Sequence, residues 1–291
     1  MTPTRRNILS AATALAVVVP FGGRAFAGAT VGELRRLESE HAARLGVFAL
    51  DTATGRCVAY RADERFPICS VFKTVAVGAV LRDLDHEFLT ERIHYTDEDV
   101  ARSGYAPITG RPENLAAGLT GAELCAAAIQ YSDNTAANLL LRALGGPQAV
   151  TDFCRSLGDE VTRLDRSEPT LNSAEPGRPT DTTSPRSIGR TYARLTLGTA
   201  LSPEDRNLLT HWLLANTTGT NRLRAGLPSD WRTAEKTGTG GYGTTNDVGI
   251  TWPPAGPPIV IAILATKHDR NAPADEPLLA KAAEAVAAML R

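Results

Sequence analysis

The 291-residue sequence is short of cysteine, lysine, aromatic side chains and net charge. Its four cysteines, Cys57, Cys69, Cys125 and Cys154, are too few for a disulfide framework and too scattered for a Cys-x-x-Cys metal site. The five histidines have no ligand spacing between them, so no metal site is expected. A net charge of −1 offers no basic footprint for nucleic acid. No apolar run approaches the roughly 20 residues of a bilayer span. What is present, 43% hydrophobic and 22% charged residues, is an ordinary globular composition with length for one large domain or two closely packed ones.

Lysine is the informative scarcity. Of the 31 basic residues only Lys73, Lys236, Lys267 and Lys281 are lysine, and arginine takes every other position. Arginine stays protonated and cannot accept a proton. A lysine kept in such a chain therefore points to a task beyond carrying charge.

Residues 1–27 read as a cleavable export signal: Arg5-Arg6 in a charged leader, a short apolar run, then Ala25-Phe26-Ala27 as the cleavage site. The arginine pair followed by Ile8-Leu9 matches a twin-arginine signal, with a general secretory signal as the alternative. The expected product is exported, periplasmic or secreted, slightly acidic and without a membrane anchor. Beyond it, Thr30-Val31-Gly32-Glu33 has the pattern of a capping box opening a helix. Strand patterns at 47–51 and 57–60 flank Thr54-Gly55 as a hairpin. Helical patterns cover 71–84, 121–130, 135–144 and 187–197, and 163–185 reads as a long loop rich in Pro, Asp, Ser and Thr. Strands return at 231–239, 248–252 and 259–266, and Asp275-Glu276-Pro277 opens a last helix. This order predicts an α/β (α+β) fold: an antiparallel five-stranded sheet built from both chain ends, flanked by the terminal helices, with an inserted all-α domain. The expected division is a sheet domain of 28–66 plus 216–291 and a helical domain of 67–215, the active site lying between them.

Three short motifs carry chemistry. In Ser70-Val71-Phe72-Lys73 the serine begins a helix and the lysine lies one turn on, on the same face. A serine needs a neighbouring base to become a nucleophile, and a lysine with a lowered pKa can be that base. A helix cap beside a surface lysine explains the same residues equally well. In Ser132-Asp133-Asn134 the aspartate fits a helix N-cap, while Ser132 could transfer a proton and Asn134 could hydrogen-bond a substrate amide. In Lys236-Thr237-Gly238-Thr239 the glycine lets a ligand lie against the strand, and Lys236 and Thr237 offer charge and a hydroxyl to a carboxylate.

Penicillin-binding proteins and class A β-lactamases share these three motifs in this order. The chain resembles a class A serine β-lactamase over essentially the whole region after the signal. The agreement extends to Tyr105-Ala106-Pro107-Ile108-Thr109, Asp133-Asn134-Thr135-Ala136-Ala137-Asn138-Leu139-Leu140, Asn216-Thr217-Thr218-Gly219, Arg224-Ala225-Gly226-Leu227-Pro228 and Asn246-Asp247. Arg166-Ser167-Glu168-Pro169-Thr170-Leu171-Asn172, with Asp181 further on, matches the family's omega loop.

The resemblance implies a set of roles. Ser70 attacks the lactam carbonyl, and Lys73, or Glu168 through a water, takes its proton. Backbone N–H groups of Ser70 and Thr239 form the oxyanion hole. Ser132 protonates the leaving nitrogen and Lys236 tunes it. Thr237, Thr239 and Arg222 hold the substrate carboxylate, and Tyr105 walls the cleft. Glu168 and Asn172 hold the water that releases the product. A cis Glu168–Pro169 peptide and an Arg166–Asp181 ion pair are implied, and Arg224 is expected to pair with Glu235, which stands where the family usually has aspartate. The family's helical disulfide is ruled out, since the partner of Cys125 falls at Val77. Neither cofactor nor metal is implied; the partners are β-lactam substrates and mechanism-based inhibitors, and the chain is expected to be a monomer. The alternatives are a D,D-peptidase or other penicillin-binding protein, against which Glu168 in its loop argues, and a non-hydrolysing β-lactam sensor.

Overall fold

The computed structural model describes residues 29–290. The export signal read from residues 1–27 lies outside them. Five strands form one antiparallel sheet: β1 (Arg44–Asp51), β2 (Cys57–Tyr60), β3 (Arg232–Gly240), β4 (Thr244–Trp252) and β5 (Ile259–Thr266), in the order β2-β1-β5-β4-β3. Strands from the two chain ends thus meet in the middle, where β1 pairs with β5 over its full length. The Lys-Thr-Gly-Thr strand, β3, is left on an edge. An edge strand has backbone groups on one side that no neighbouring strand uses, which suits a strand meant to receive a ligand.

Alternation along β5 explains the layering. Side chains of a strand point to opposite faces with period two. Ile259, Ile261 and Ile263 pack with Leu45, Val47 and the two terminal helices, α1 (Ala29–Glu40) and α6 (Glu276–Leu290). Val260, Ala262 and Leu264 face the other way, into the larger core shared with the helices between β2 and β3. In that core α2 (Phe72–Asp83) is buried from Phe72 through Leu81. A helix apolar on all sides belongs in the middle of a fold, and this one carries Lys73 into the interior. The helices α3 (Gly121–Gln130), α4 (Asn134–Ala143) and α5 (Pro185–Thr196) pack around it. Among the described residues no helix is long and apolar enough to cross a membrane.

Three local readings change. Helix α1 already includes Ala29, so Thr30 lies within it and not at its cap. Strand β4 begins at Thr244, four residues before the apolar pattern that predicts it, because Thr244–Asp247 are polar yet pair with β3 and β5. The 163–185 loop contains a short helical turn, Thr170–Ser173, and a two-residue strand, Thr182–Thr183, paired with Phe66–Pro67. That last pairing brings the loop against the segment leading into Ser70.

Candidate active site

Ser70 sits in a single 3₁₀ turn, Cys69–Val71, that leads directly into α2. The turn is bracketed from several elements. Asn246 Nδ2 donates to the carbonyls of Pro67 (2.9 Å) and Ile68 (3.2 Å), Tyr192 Oη donates to Val71 O (2.7 Å), and Ile68 N donates to Asp181 O (2.8 Å). Cys69 is held at φ +46°, a conformation unfavourable for a side chain with a Cβ. Strain of this kind persists only where surrounding contacts enforce it. Strand β3 closes on the same turn. A Cβ at Gly238 would stand 3.2 Å from Cys69 Cβ and 3.3 Å from Ser70 N, so only glycine passes freely there. This contact brings the Lys-Thr-Gly-Thr strand beside the Ser70 N–H.

One turn into α2, Lys73 is fully buried. Its ammonium donates to Ser132 O (2.7 Å) and Asn134 Oδ1 (2.7 Å), and stands 3.0 Å from Glu168 Oε1 and 3.4 Å from Ser132 Oγ. Burial pushes its pKa below the usual lysine value, and the Glu168 carboxylate pulls it part of the way back. Sequence spacing puts the Ser70 hydroxyl within reach of the Lys73 amine. The Ser70 hydroxyl itself donates to Glu168 Oε1 at 3.2 Å, and that same oxygen faces Lys73. Both candidate bases therefore meet at one carboxylate oxygen beside the nucleophile.

Glu168 is positioned through its backbone. Asn138 Nδ2 donates to Glu168 O and Asn138 Oδ1 accepts from Glu168 N, each at 2.9 Å, and the Glu168–Pro169 peptide is cis. Asn172 Nδ2 donates to the second carboxylate oxygen, Oε2. The neck of the loop is closed by Arg166 on Asp181 at 2.6 Å, whose other oxygen accepts the N–H groups of Asp165 and Arg166. Asp133 caps α4 as expected, accepting from Ala136 N, and also holds Ile108 N and both donors of Thr109. It thus anchors the loop that presents Tyr105, which is 53% exposed and the one large apolar side chain left open among the described residues.

Lys236, buried on β3, donates to Ser132 Oγ (3.0 Å) and Thr237 O (2.9 Å). Burial drives its pKa well below the ordinary lysine value, and the positive charges of Lys73 and Arg222 push the same way. Arg222 reaches across β3 and β4. Its Nη1 donates to Gly238 O and Asn246 O, both at 2.9 Å, its Nη2 to Thr239 Oγ1 at 2.8 Å, and its Nε to Glu276 Oε1 at 3.1 Å. A guanidinium has five N–H donors, and four of them are engaged here. Arg224 lies 3.0 Å from Glu235, as expected; burial and the nearby Asp247 hold the Glu235 carboxyl far above the usual carboxylate range.

The cleft these groups share measures about 330 Å³. Ser70, Tyr105, Ser132, Asn134, Asn172, Arg222, Thr237, Gly238 and Thr239 line it, while Lys73, Glu168 and Lys236 lie directly behind. Size does not single it out, since a groove of about 690 Å³ beside Trp231 and Pro253 is larger. Convergent polar groups with displaced pKa values do. Three contributors have no role in the sequence reading: Asn138, Glu276 and Thr218, which also lines the cleft. Asn138 and Thr218 fall inside stretches that carry the resemblance. Glu276 reads from sequence only as a helix opener. All four cysteines are free and buried.

The model of the β-lactamase enzyme family matches residues 30–290. A β-lactamase of Streptomyces lavendulae is 62% identical, the alignment covering 99% of this chain and 97% of that protein. One from Streptomyces fradiae is 60% identical over 98% and 96% of the two chains. Among solved structures, the β-lactamase from Streptomyces albus G superposes with a TM-score of 0.89 at 61% identity, covering 89% of this chain and 98% of that one.

Proposed function

This chain belongs to the class A serine β-lactamases, hydrolases that open the β-lactam ring, and from that premise we propose how its own residues divide the work. The observation that carries the proposal is the carboxylate of Glu168, which touches Ser70, Lys73 and Asn172 together. A serine ester is long-lived unless a base activates water next to it. The same division keeps the sheet part, 28–66 plus 216–291, and the helical part, 67–215, as two walls of one cleft.

Ser70 Oγ attacks the lactam carbonyl carbon, and its proton passes to Lys73 or Glu168. The N–H groups of Ser70 and Thr239 receive the developing oxyanion. As the C–N bond breaks, Ser132 gives its proton to the lactam nitrogen, with Lys236 3.0 Å from that hydroxyl favouring the transfer. The proton taken from Ser70 returns to Ser132 through Lys73, whose Nζ lies 3.4 Å from Ser132 Oγ, which leaves Glu168 ionised for the second half. Glu168 then takes a proton from a water held with Asn172. The hydroxide oxygen bonds to the acyl carbon, the ester C–O bond breaks, and Ser70 recovers its proton. Tyr105 and Asn134 flank the substrate, and Thr237, Thr239 and Arg222 receive its carboxylate. Steady turnover of a chromogenic cephalosporin tests the reading. Stoichiometric labelling without turnover would instead indicate a penicillin-binding protein or a sensor.

Arg222→Ala raises KM for substrates with a carboxylate beside the lactam nitrogen, by the roughly 1.5–3 kcal/mol of a charged hydrogen bond. It also lowers the melting temperature, because Gly238 O and Asn246 O lose their shared donor. A loss confined to kcat would remove Arg222 from substrate binding. Export through the twin-arginine route belongs to the same proposal: Arg5→Lys with Arg6→Lys leaves the protein in the cytoplasm on cell fractionation, and unchanged export would point to the general secretory route.

A further inference from the structure

We infer that Thr218 fixes the direction of the Thr237 hydroxyl and so limits the affinity of the cleft for an anionic substrate group. The inference rests on the proposed role of Thr237 in receiving that group, and it follows from counting protons.

A threonine hydroxyl has one proton to give. Thr218 Oγ1 has two neighbours, Asn216 Oδ1 at 2.8 Å and Thr237 Oγ1 at 2.5 Å. The orientation of the Asn216 amide is set by Thr218 N, which donates to Asn216 Oδ1 at 3.2 Å; turned the other way, the amide NH2 would face an N–H. A carbonyl oxygen can only accept. Thr218 therefore gives its proton to Asn216, and the short bond to Thr237 is donated by Thr237. The Thr237 proton is thus committed to Thr218, and the hydroxyl has only lone pairs left to offer a ligand.

Thr239, two residues along the same strand, has the opposite polarity. The Arg222 guanidinium can only donate, and it donates to Thr239 Oγ1 at 2.8 Å. The Thr239 proton is left for a ligand. A carboxylate entering this subsite meets a donor at Thr239 and an acceptor at Thr237. To serve it, Thr237 must rotate, and Thr218 must move its proton from Asn216 to Thr237. Asn216 is buried, so no solvent replaces the bond it gives up. Thr218 thereby acts as a positioning residue that discriminates between acceptor and donor groups on the substrate.

The test compares a penicillin with its carboxamide, in which an NH2 group can donate to Thr237 as that hydroxyl already stands. Thr218→Val keeps the shape and removes the hydroxyl, freeing the Thr237 proton. The kcat/KM ratio of carboxylate to carboxamide should rise roughly twofold to tenfold, the net worth of one neutral hydrogen bond. Thr218→Ser, which restores the hydroxyl, should return the wild-type ratio. In a Thr237→Val background, Thr218→Val should no longer move it. A ratio that is unchanged or falls in Thr218→Val overturns the inference. Should that variant fail to fold by circular dichroism, Thr218→Ala supplies the same reading. Wild-type protein that did not hydrolyse the penicillin at all would defeat the functional reading instead, so the two failures are distinguishable.

Discussion

In Glu168→Ala a penicillin should open on Ser70 and stay there. The variant keeps Ser70, Lys73, Ser132 and Lys236, so the first half of the reaction retains its nucleophile and its proton donor. Removing the carboxylate also takes away the charge that raises the Lys73 pKa, while burial continues to lower it. More of Lys73 is then neutral and able to accept the Ser70 proton. The second half loses its base, and general-base removal typically costs roughly 10²–10⁴-fold. Steady-state turnover should fall at least that far. Intact-mass spectrometry should show a stoichiometric adduct on Ser70 persisting for minutes, with little or none in wild type. Turnover like wild type would strip Glu168 of the deacylation role. Failure to form the adduct would make Glu168, which accepts the Ser70 hydroxyl directly in this structure, the acylation base as well.

Lys73→Arg should give the complementary result, little adduct and little turnover. Arginine keeps the positive charge but cannot accept a proton near neutral pH. It also brings a broad planar head into a site that leaves the lysine fully buried between Ser132, Asn134 and Glu168. Single-turnover acylation should slow by roughly 10²–10⁴-fold. Circular dichroism separates this from unfolding. Near-normal acylation would limit Lys73 to electrostatics and pass the proton to Glu168. If Lys73 is the acceptor it must be neutral to accept, so acylation should decline as pH falls through its pKa, and burial places that decline lower than for a free lysine; a pH profile without that limb would pass the role to Glu168.

Much of the fold is legible without coordinates. Strand limits 57–60 and 259–266 agree with the structure, because an apolar run between turn residues leaves little choice. Strand β4 is legible only in its apolar half. Its first residues are buried polar groups that act as brackets: Asn246 holds the carbonyls before Ser70, Thr245 Oγ1 accepts from Asp275 N, and Asp247 accepts from Leu223 N. Alternation of apolar and polar residues cannot register a strand whose polar side chains face inward to build a site.

The candidate site divides the same way. Ser70 and Lys73 stand out by residue type and spacing, Lys73 and Lys236 by a lysine scarcity that makes each retained lysine conspicuous, and Ser132 and Glu168 by their place in motifs that carry the family resemblance. Those properties are local to the chain and need no packing to be seen. Which group each one touches is not local. Ser70 donating to Glu168, Asn138 clamping the Glu168 backbone, Glu276 anchoring Arg222 and Thr218 turning the Thr237 proton all depend on atoms meeting near hydrogen-bond distance from separate elements. A hydrogen bond has a direction and a reach of about 3 Å. Residue order along the chain encodes neither, so the sequence names the chemical groups and only their packing decides which of them give and which receive a proton.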